Sequence, residues 1–450
     1  MPLSPARRAA FEILRRVDEE HAYASSLLST VDEDLRGSDR ALCYELVLGV
    51  LRQQLWLDRV LEHFAKRRLE KVDLPVRLSL RIGLYQLRFL TRIPPSAAVN
   101  DSVNLVRAAG LQSAAGFTNA ILRRAAREMK YDPADNVSDP IEKLSISTSH
   151  PAWLIERWAK TLGFEDAEAL ARANNEPAPT SFRLTAKTIS SDGESRRIIE
   201  QLNAAGAAVQ PSMITPDSWR VCGQRTALLR DLASAGLIYL QEEASQLVAH
   251  ILDAQAGDRV LDVCAAPGSK TTHIGALAPH AIIVAGDLYG HRLRILRELA
   301  AAQDANTLIV GLDATGPLPF APASFDRVLV DAPCSGTGTL RRNPEIRWRL
   351  SPRDITELAA KQSRILKQAA EMVRPGGRLL YSTCSLEIDE NEAVAKSFTA
   401  EHPEFEPLLL AAPVNSNGVL GLGAETGAIR TWPHLDDIDG FFMIAFQRRG

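Results

Sequence analysis

After Gly236 the chain settles into a rhythm that leaves few folds open. Short, apolar, largely β-branched runs are separated by loops and helical stretches: RVLDVCA, AIIVAGDL, TLIVGLDA, RVLVDAPC and RLLYSTCS. Helical segments such as ITELAAKQSRILKQAAEMV stand between several of them, and FFMIAFQR near the end reads as one more strand. Such alternation predicts a doubly wound, Rossmann-like α/β sheet, whose ligands gather at the carboxyl ends of the strands.

The first run leads straight into Cys264, Ala265, Ala266, Pro267, Gly268, Ser269 and Lys270, after which a helix begins. Small residues let backbone approach a ligand, and free N–H groups at a helix start favour a carboxylate or phosphate. A phosphate-binding P-loop needs glycine where this chain has Cys264 and Ser269, and no G-x-G-x-x-G occurs here. Asp287 ends the second run 19 residues after Gly268, close to the roughly 20 at which an acid reaches a ribose hydroxyl pair. Asp313, after the third run, is placed to accept an exocyclic amine of adenine. Together these outline S-adenosylmethionine, with its amino-acid end at the loop, its ribose at Asp287 and its base at Asp313.

Asp331 and Cys334 close the fourth run and Cys384 closes the fifth. Two strand-terminal thiols beside a methyl donor suit one reaction well. Carbon 5 of a pyrimidine is a poor nucleophile until a thiolate adds at carbon 6, which makes it enamine-like and able to take a methyl group. Asp331 suits the cytosine amino group and the positive charge gained at the neighbouring ring nitrogen, a donor that uracil lacks. DNA cytosine methyltransferases use the thiol that follows a proline, as Cys334 follows Pro333, so spacing alone leaves the nucleophile open between Cys334 and Cys384. Attack requires thiolate, and Lys270 is a candidate cation to favour it; the same side chain is equally suited to a donor carboxylate or to solvent. Cys43 and Cys222 read as small buried core residues. No C-x-x-C pair occurs among the five cysteines, which excludes a zinc knuckle and a disulfide framework, and no metal is expected.

The front of the chain is different. LCYELVLGVLRQQLWLDRVLEHF repeats apolar residues at helical spacing through Leu46, Val50, Leu51, Leu55, Val60 and Leu61, and VRLSLRIGLYQLRFL does so again. Residues 1–130 hold 21 lysines and arginines against 15 acids, leaving 31 against 40 for the rest. A basic all-α bundle joined to an acidic module points to a polyanionic partner. YDPADNVSDPIEKLSISTS reads as linker by composition, and a small α+β domain follows, with strands at SFRLTAKT and AAVQPSM around the helix ESRRIIEQLNAAG. The expected domains are 1–135, 136–235 and 236–450.

These motifs resemble the bacterial RNA 5-methylcytosine methyltransferases called RsmB, Sun or Fmu. CAAPGSKTTHI resembles their donor loop, VLVDAPCSGTGTLRRNPEIRW and YSTCSLEIDENE their two cysteine motifs, PHLDDIDGFFMIAF their closing motif and LQEEASQLVAHIL the helix ahead of the sheet. HPAWL at 150–154 fits the start of their middle region. SPARRAAFEIL, LCYELVLGVLR and AGFTNAILRR are similar to the NusB-like RNA-binding domain that the family carries in front. The resemblance implies Cys384 as nucleophile, Cys334 as the thiol that helps release product, and Asp331 as the residue that holds cytosine. It implies donor contacts from Cys264 to Lys270 and at Asp287, Arg292, Asp313 and Asp331. Ser269 stands where the family often has a second glycine, which matters only if that residue needs positive φ.

The run from Leu340 to Arg349 offers Arg341, Arg342, Arg347 and Trp348 as RNA contacts, cations for phosphate and an aromatic for an unpaired base. A target cytosine must leave its stack to meet thiol and donor, which favours unpaired RNA. The resemblance implies 16S ribosomal RNA as the partner. A transfer RNA enzyme of the same chemistry and a non-catalytic RNA-binding assembly factor are the alternatives. No apolar stretch approaches the roughly 18 to 20 residues of a membrane span, and the start lacks a secretory block, so a cytoplasmic monomer is expected.

Overall fold

The computed structural model describes residues 3–31, 35, 37–189, 192–224, 226–409, 421–423 and 427–450. The chain divides into two compact units, Met1–Pro177 with Leu340–Arg349, and Ala178–Thr339 with Leu350–Gly450.

The first unit is helical. The long periodic segment forms two helices, Gly37–Arg52 and Gln54–Ala65, because Gln53 leaves helical geometry between them. Leu46, Val50, Leu51, Val60 and Leu61 are buried, as the periodicity requires, in one core with Leu78, Leu84 and Leu122. The stretch read as linker holds the helix Pro140–Thr148. Its cap was legible: Asp139 accepts the Glu142 amide at 2.7 Å and Pro140 supplies a preset first turn. Helices Ala152–Leu162 and Phe164–Ala173 follow, and the compact unit runs to Pro177.

Leu340–Arg349 belongs to this helical unit, where two of the four expected RNA contacts, Arg341 and Arg347, are buried. Arg347 is fully buried, donating to the Ser149 carbonyl at 3.1 Å, the Asn175 side chain at 2.9 Å and the Asn174 carbonyl at 3.3 Å. Burial pulls its guanidinium down to about 9. Arg341 is buried and donates to the Pro177 carbonyl, while the half-buried Trp348 donates its indole N–H to the Leu51 carbonyl at 3.0 Å. Arg342 is half-buried in the same run. Cations at this spacing do suit phosphate, but Arg347 serves the carbonyls of Ser149 and Asn174 at two helix ends and Arg341 the loop carbonyl of Pro177, acceptors that would otherwise be left unpaired.

The second unit holds two sheets. A four-stranded antiparallel sheet, ordered β2-β3-β1-β4, is formed by β1 (Thr180–Leu184), β2 (Val209–Pro211), β3 (Ser218–Val221) and β4 (Ile238–Leu240). The short β3 and β4 carried no legible alternation. The larger sheet contains β5 (Arg259–Asp262), β6 (Ile282–Asp287), β7 (Thr307–Gly311), β8 (Phe325–Asp331), β9 (Val373–Thr383), β10 (Phe405–Pro407), β11 (Gly421–Gly423), β12 (Ala428–Thr431) and β13 (Phe441–Arg448). Its order is β11-β12-β13-β9-β8-β5-β6-β7, with β10 on β13. Strands β7, β6, β5, β8 and β9 are parallel and β13 is antiparallel to β9, so the doubly wound half expected from the alternation carries an antiparallel extension. Order reverses at β5, which starts the donor loop, and the crevice there is where such sheets bind ligands. Both faces are covered: Val328, Leu379 and Phe442 on one, Val260, Leu329 and Met443 on the other. No helix among the described residues is long and apolar enough to cross a membrane.

Arg347→Ala is expected to destabilise the helical unit by about 3 kcal/mol, because it strips a buried hydrogen-bonded cation from three acceptors. A lowered unfolding midpoint with an unchanged salt slope of RNA binding is the expected result. A flattened salt slope at unchanged stability would return the residue to the RNA.

Candidate active site

The site begins with strand register. Parallel β8 and β9 place Asp331 opposite Ser382, and the Ala332 amide continues the pairing by donating to the Ser382 carbonyl at 2.9 Å. The two cysteine motifs therefore leave neighbouring strands side by side. Gly338 then donates to the Cys384 carbonyl at 3.0 Å, and Gly440 to the Gly338 carbonyl at 2.8 Å. A Cβ on Gly338 would collide with the Gly440 carbonyl, so only glycine permits this approach. The outcome is that Cys334 and Cys384, 50 residues apart, meet sulfur to sulfur at 3.1 Å, both half-buried. The hydrogen bond with Cys384, burial, and the charges of Cys384 and Glu390 hold the Cys334 thiol well above its ordinary range.

Asp331 ends β8, three residues before Cys334. Lys270 donates to its Oδ2 at 2.7 Å and Ser382 to its Oδ1 at 2.9 Å. Its side chain keeps 25% exposure, and each carboxylate oxygen retains a lone pair for a further donor. Lys270 does not face solvent. It is buried from the first turn of the helix Ser269–Leu277, with its ammonium 5.4 Å from the Phe441 ring centre. Burial alone would lower its pKa, but the charge and hydrogen bond of Asp331, with Cys384 and Asp262, leave the ammonium above its ordinary value. It remains a cation at the site.

Beneath it lies Asp262, at the end of β5. Thr271 donates to one oxygen at 2.7 Å, and the other finds no protein partner of hydrogen-bonding geometry among the described residues. Burial, aided by the charge of Asp331 and opposed by Thr271, Lys270 and the Cys264 amide, raises its pKa to about 7.

The donor loop crosses the end of β5. Gly268 has φ +109, and a Cβ there would press on Leu296 at 3.2 Å. Ser269 is not among the positive-φ residues, so serine is conformationally harmless at that position. Asp287, buried, accepts the Ala266 amide at 3.2 Å and the Tyr289 amide at 3.1 Å, and pairs with Arg292 at 3.3 Å. Arg292 also donates to the Ala266 carbonyl. Cys264 is half-buried, and burial with the charges of Asp262, Asp331 and Asp287 pushes its thiol far above the ordinary range. It lines the loop as an inert thiol. Asp313 is exposed and accepts the Thr315 amide and hydroxyl at 2.9 and 2.7 Å, which lowers its pKa.

The structure thus gathers Cys334 with Cys384, Lys270 with Asp331, and Ala266 with Asp287 and Arg292. It leaves Asp313 in a turn of its own. Cys43 is buried as expected, whereas Cys222 is exposed and belongs to no core. Sequence reading missed Asp262, although it stands in RVLDVCA two residues before Cys264. It also missed Arg183 of β1, wholly buried and bonded to Gln241, the Ser269 carbonyl, Thr272 and Gln303. No local pattern marks an arginine whose partners lie on three other elements. Glu390 was missed in a motif that had been singled out.

Comparison with known proteins bears on this geometry. Residues 249–447 match the family described as 16S rRNA methyltransferase RsmB/F, residues 4–127 the NusB family, and residues 150–228 a ferredoxin-like domain of RsmF/B-like methyltransferases. The chain is 34% identical to a probable ribosomal RNA small subunit methyltransferase B of Bacillus subtilis (strain 168), with 100% of each chain covered. It is 36% identical to a protein of the same description from Synechocystis sp., covering 98% of this chain and 99% of that one. Among solved structures, the crystal structure of PH0851 superposes with a TM-score of 0.84 at 26% identity, covering 100% of this chain and 99% of that one.

Asp262 carries a pH signature. With a folded-state pKa of about 7 against an ordinary 3.8, the folded protein keeps a proton that the unfolded chain has lost, so stability from this group declines between about pH 4 and pH 7 and is level above. Asp262→Asn, neutral throughout, is expected to gain thermal stability over the parent as pH rises from about 5 to about 8. A difference in melting temperature that does not change with pH would mean that Asp262 is ionised in the fold.

Proposed function

The chain belongs to the RsmB/F family of 16S rRNA methyltransferases, and we propose that it methylates carbon 5 of a cytosine in small-subunit ribosomal RNA through a Cys384 adduct. The observation that carries this reading is the pair of half-buried sulfurs 3.1 Å apart beside the Asp331 carboxylate. A binding protein has no chemical use for such a pair.

The residues present fit S-adenosylmethionine as the donor. Gly268, at positive φ and close against Leu296, gives the loop a tight turn that a side chain would strain, and one buried Asp262 oxygen has no partner of hydrogen-bonding geometry among the described residues. The loop from Cys264 to Lys270, with Asp287, Arg292, Asp313 and Asp331, would hold the donor. When bound, it supplies a methyl group on a positively charged sulfur. The chain's own residues do the rest. The Cys384 thiolate forms a bond to carbon 6 while the carbon 5–carbon 6 π pair moves onto carbon 5. Asp331 accepts from the cytosine amino group and so fixes the orientation of the ring, with Lys270 holding the carboxylate in place. After methylation, a base removes the carbon 5 proton, the double bond re-forms and Cys384 departs with its bonding pair.

Electrostatics support the division of labour between the sulfurs. The largest influences holding the Cys334 proton come from Cys384 and from burial. Once the Cys384 sulfur is bonded to carbon, its hydrogen bond and charge vanish, and Cys334 is freed to ionise and take the carbon 5 proton. Lys270, which stays a cation, lies within electrostatic reach of Cys384.

Cys384→Ala is expected to abolish methyl transfer, by at least about 10³-fold. Cys334→Ala is expected to accumulate protein covalently joined to RNA, seen as a shifted band on a denaturing gel. The reverse pattern would exchange the two roles. Bisulfite mapping of 16S RNA from cells lacking the gene, beside transfer RNA, tests the substrate: full modification in their absence would refute the assignment.

A further inference from the structure

One buried carboxylate in the site is left without a task by this chemistry. Glu390 is wholly buried, on the turn that follows β9, and four donors from three segments converge on it. The Ser335 amide donates to Oε1 at 2.9 Å and the Ser335 hydroxyl to Oε2. The Ser385 hydroxyl also donates to Oε2, and Gln362 donates to Oε1 at 2.9 Å. Ser335 immediately follows Cys334, and Ser385 immediately follows Cys384. The Ser335 and Ser385 hydroxyl oxygens lie 3.0 Å apart. Gln362, from the long helix Pro352–Met372, also donates to the Pro333 carbonyl, so the helix reaches both sides of Cys334 through one side chain. No cation pairs with Glu390 among the described residues.

We propose that Glu390 is a positioning residue of the active site: its carboxylate clasps the residues that follow both cysteines and sets the sulfurs at the separation the reaction uses. Strand pairing brings the two loops near one another, but backbone after Ala332 and Thr383 has left the sheet. A carboxylate with two oxygens and four acceptor positions is the smallest group that can hold both loops and the helix at once. An uncompensated buried charge is costly, and hydrogen bonds from four donors are what make it tolerable here. The charge has a second consequence. Cys384, burial and Glu390 keep the proton on Cys334, the Gly336 amide opposes them, and Tyr381 is a further titratable group that feels this thiol's charge. The clasp that sets the geometry therefore also helps to keep Cys334 protonated.

The catalytic half of this inference rests on the cysteine chemistry proposed above, and two variants separate the halves. Glu390→Gln keeps reach and removes charge; Glu390→Asp keeps charge and removes reach. Site-resolved alkylation of Cys334 by iodoacetamide, read by peptide mass spectrometry across a pH series, is expected to move its midpoint lower by about one pH unit in Glu390→Gln and to stay near the parent in Glu390→Asp. Both variants are expected to lose kcat by about 10-fold to 100-fold, with KM for donor and RNA unchanged. Ser335→Ala, which removes one donor from the clasp, should show a smaller loss of kcat of the same kind and serves if either substitution at 390 prevents folding. Parent-like alkylation in Glu390→Gln together with parent-like kcat in all three variants would overturn the proposal. A parent protein that transfers no methyl to RNA would refute the cysteine chemistry instead, and the alkylation profiles would still report on Glu390.

Discussion

Everything at the active site descends from the parallel pairing of β8 with β9. Its register sets Asp331 opposite Ser382, and from that pair the chain needs only two or three further residues on each side to bring its sulfurs together. The pairing is stable because both strands are buried on both faces, against Val328 and Leu379 on one side and Leu329 and Leu380 on the other. A slip of one residue would turn these apolar side chains out of their layers and carry Asp331 to the wrong face. The apolar sheet thus holds the polar chemistry to its geometry.

Around that frame the site keeps its charges in a graded order. Lys270 stays cationic because it lies against Asp331, whereas Asp262, deeper and short of partners, leans toward its neutral form. Cys334 keeps its proton through its neighbour. Each group's state depends on the next, so a substrate that changes one of them changes the others. In the proposed chemistry, bond formation at Cys384 would remove the main influence on Cys334 and give the second thiol its turn.

Much of this was legible in the chain. The β-branched runs located β5 to β9 and β13, and small residues after β5 marked a tight loop, because close approach and tight turns restrict residue type at single positions. Asp287 and Asp331 were found the same way, as acids at strand ends. The burial of Arg341 and Arg347 was not legible, since a guanidinium has the same donors for a phosphate as for buried carbonyls, and composition does not reveal which acceptor is near. Glu390 and Arg183 escaped because their meaning lies in partners tens of residues away.

The sequence by itself determined the alternation that makes a doubly wound sheet, the loop that suits a nucleoside donor, and two strand-terminal thiols with an acid beside them. These are local properties, set by side-chain size, branching and backbone freedom within a few residues. Tertiary structure alone decided that the thiols touch, that Lys270 turns inward to Asp331, that Arg347 is core and that Glu390 clasps both loops. Those outcomes depend on which strands become neighbours and on how deeply each charge is buried, and both are set by the packing of the whole unit.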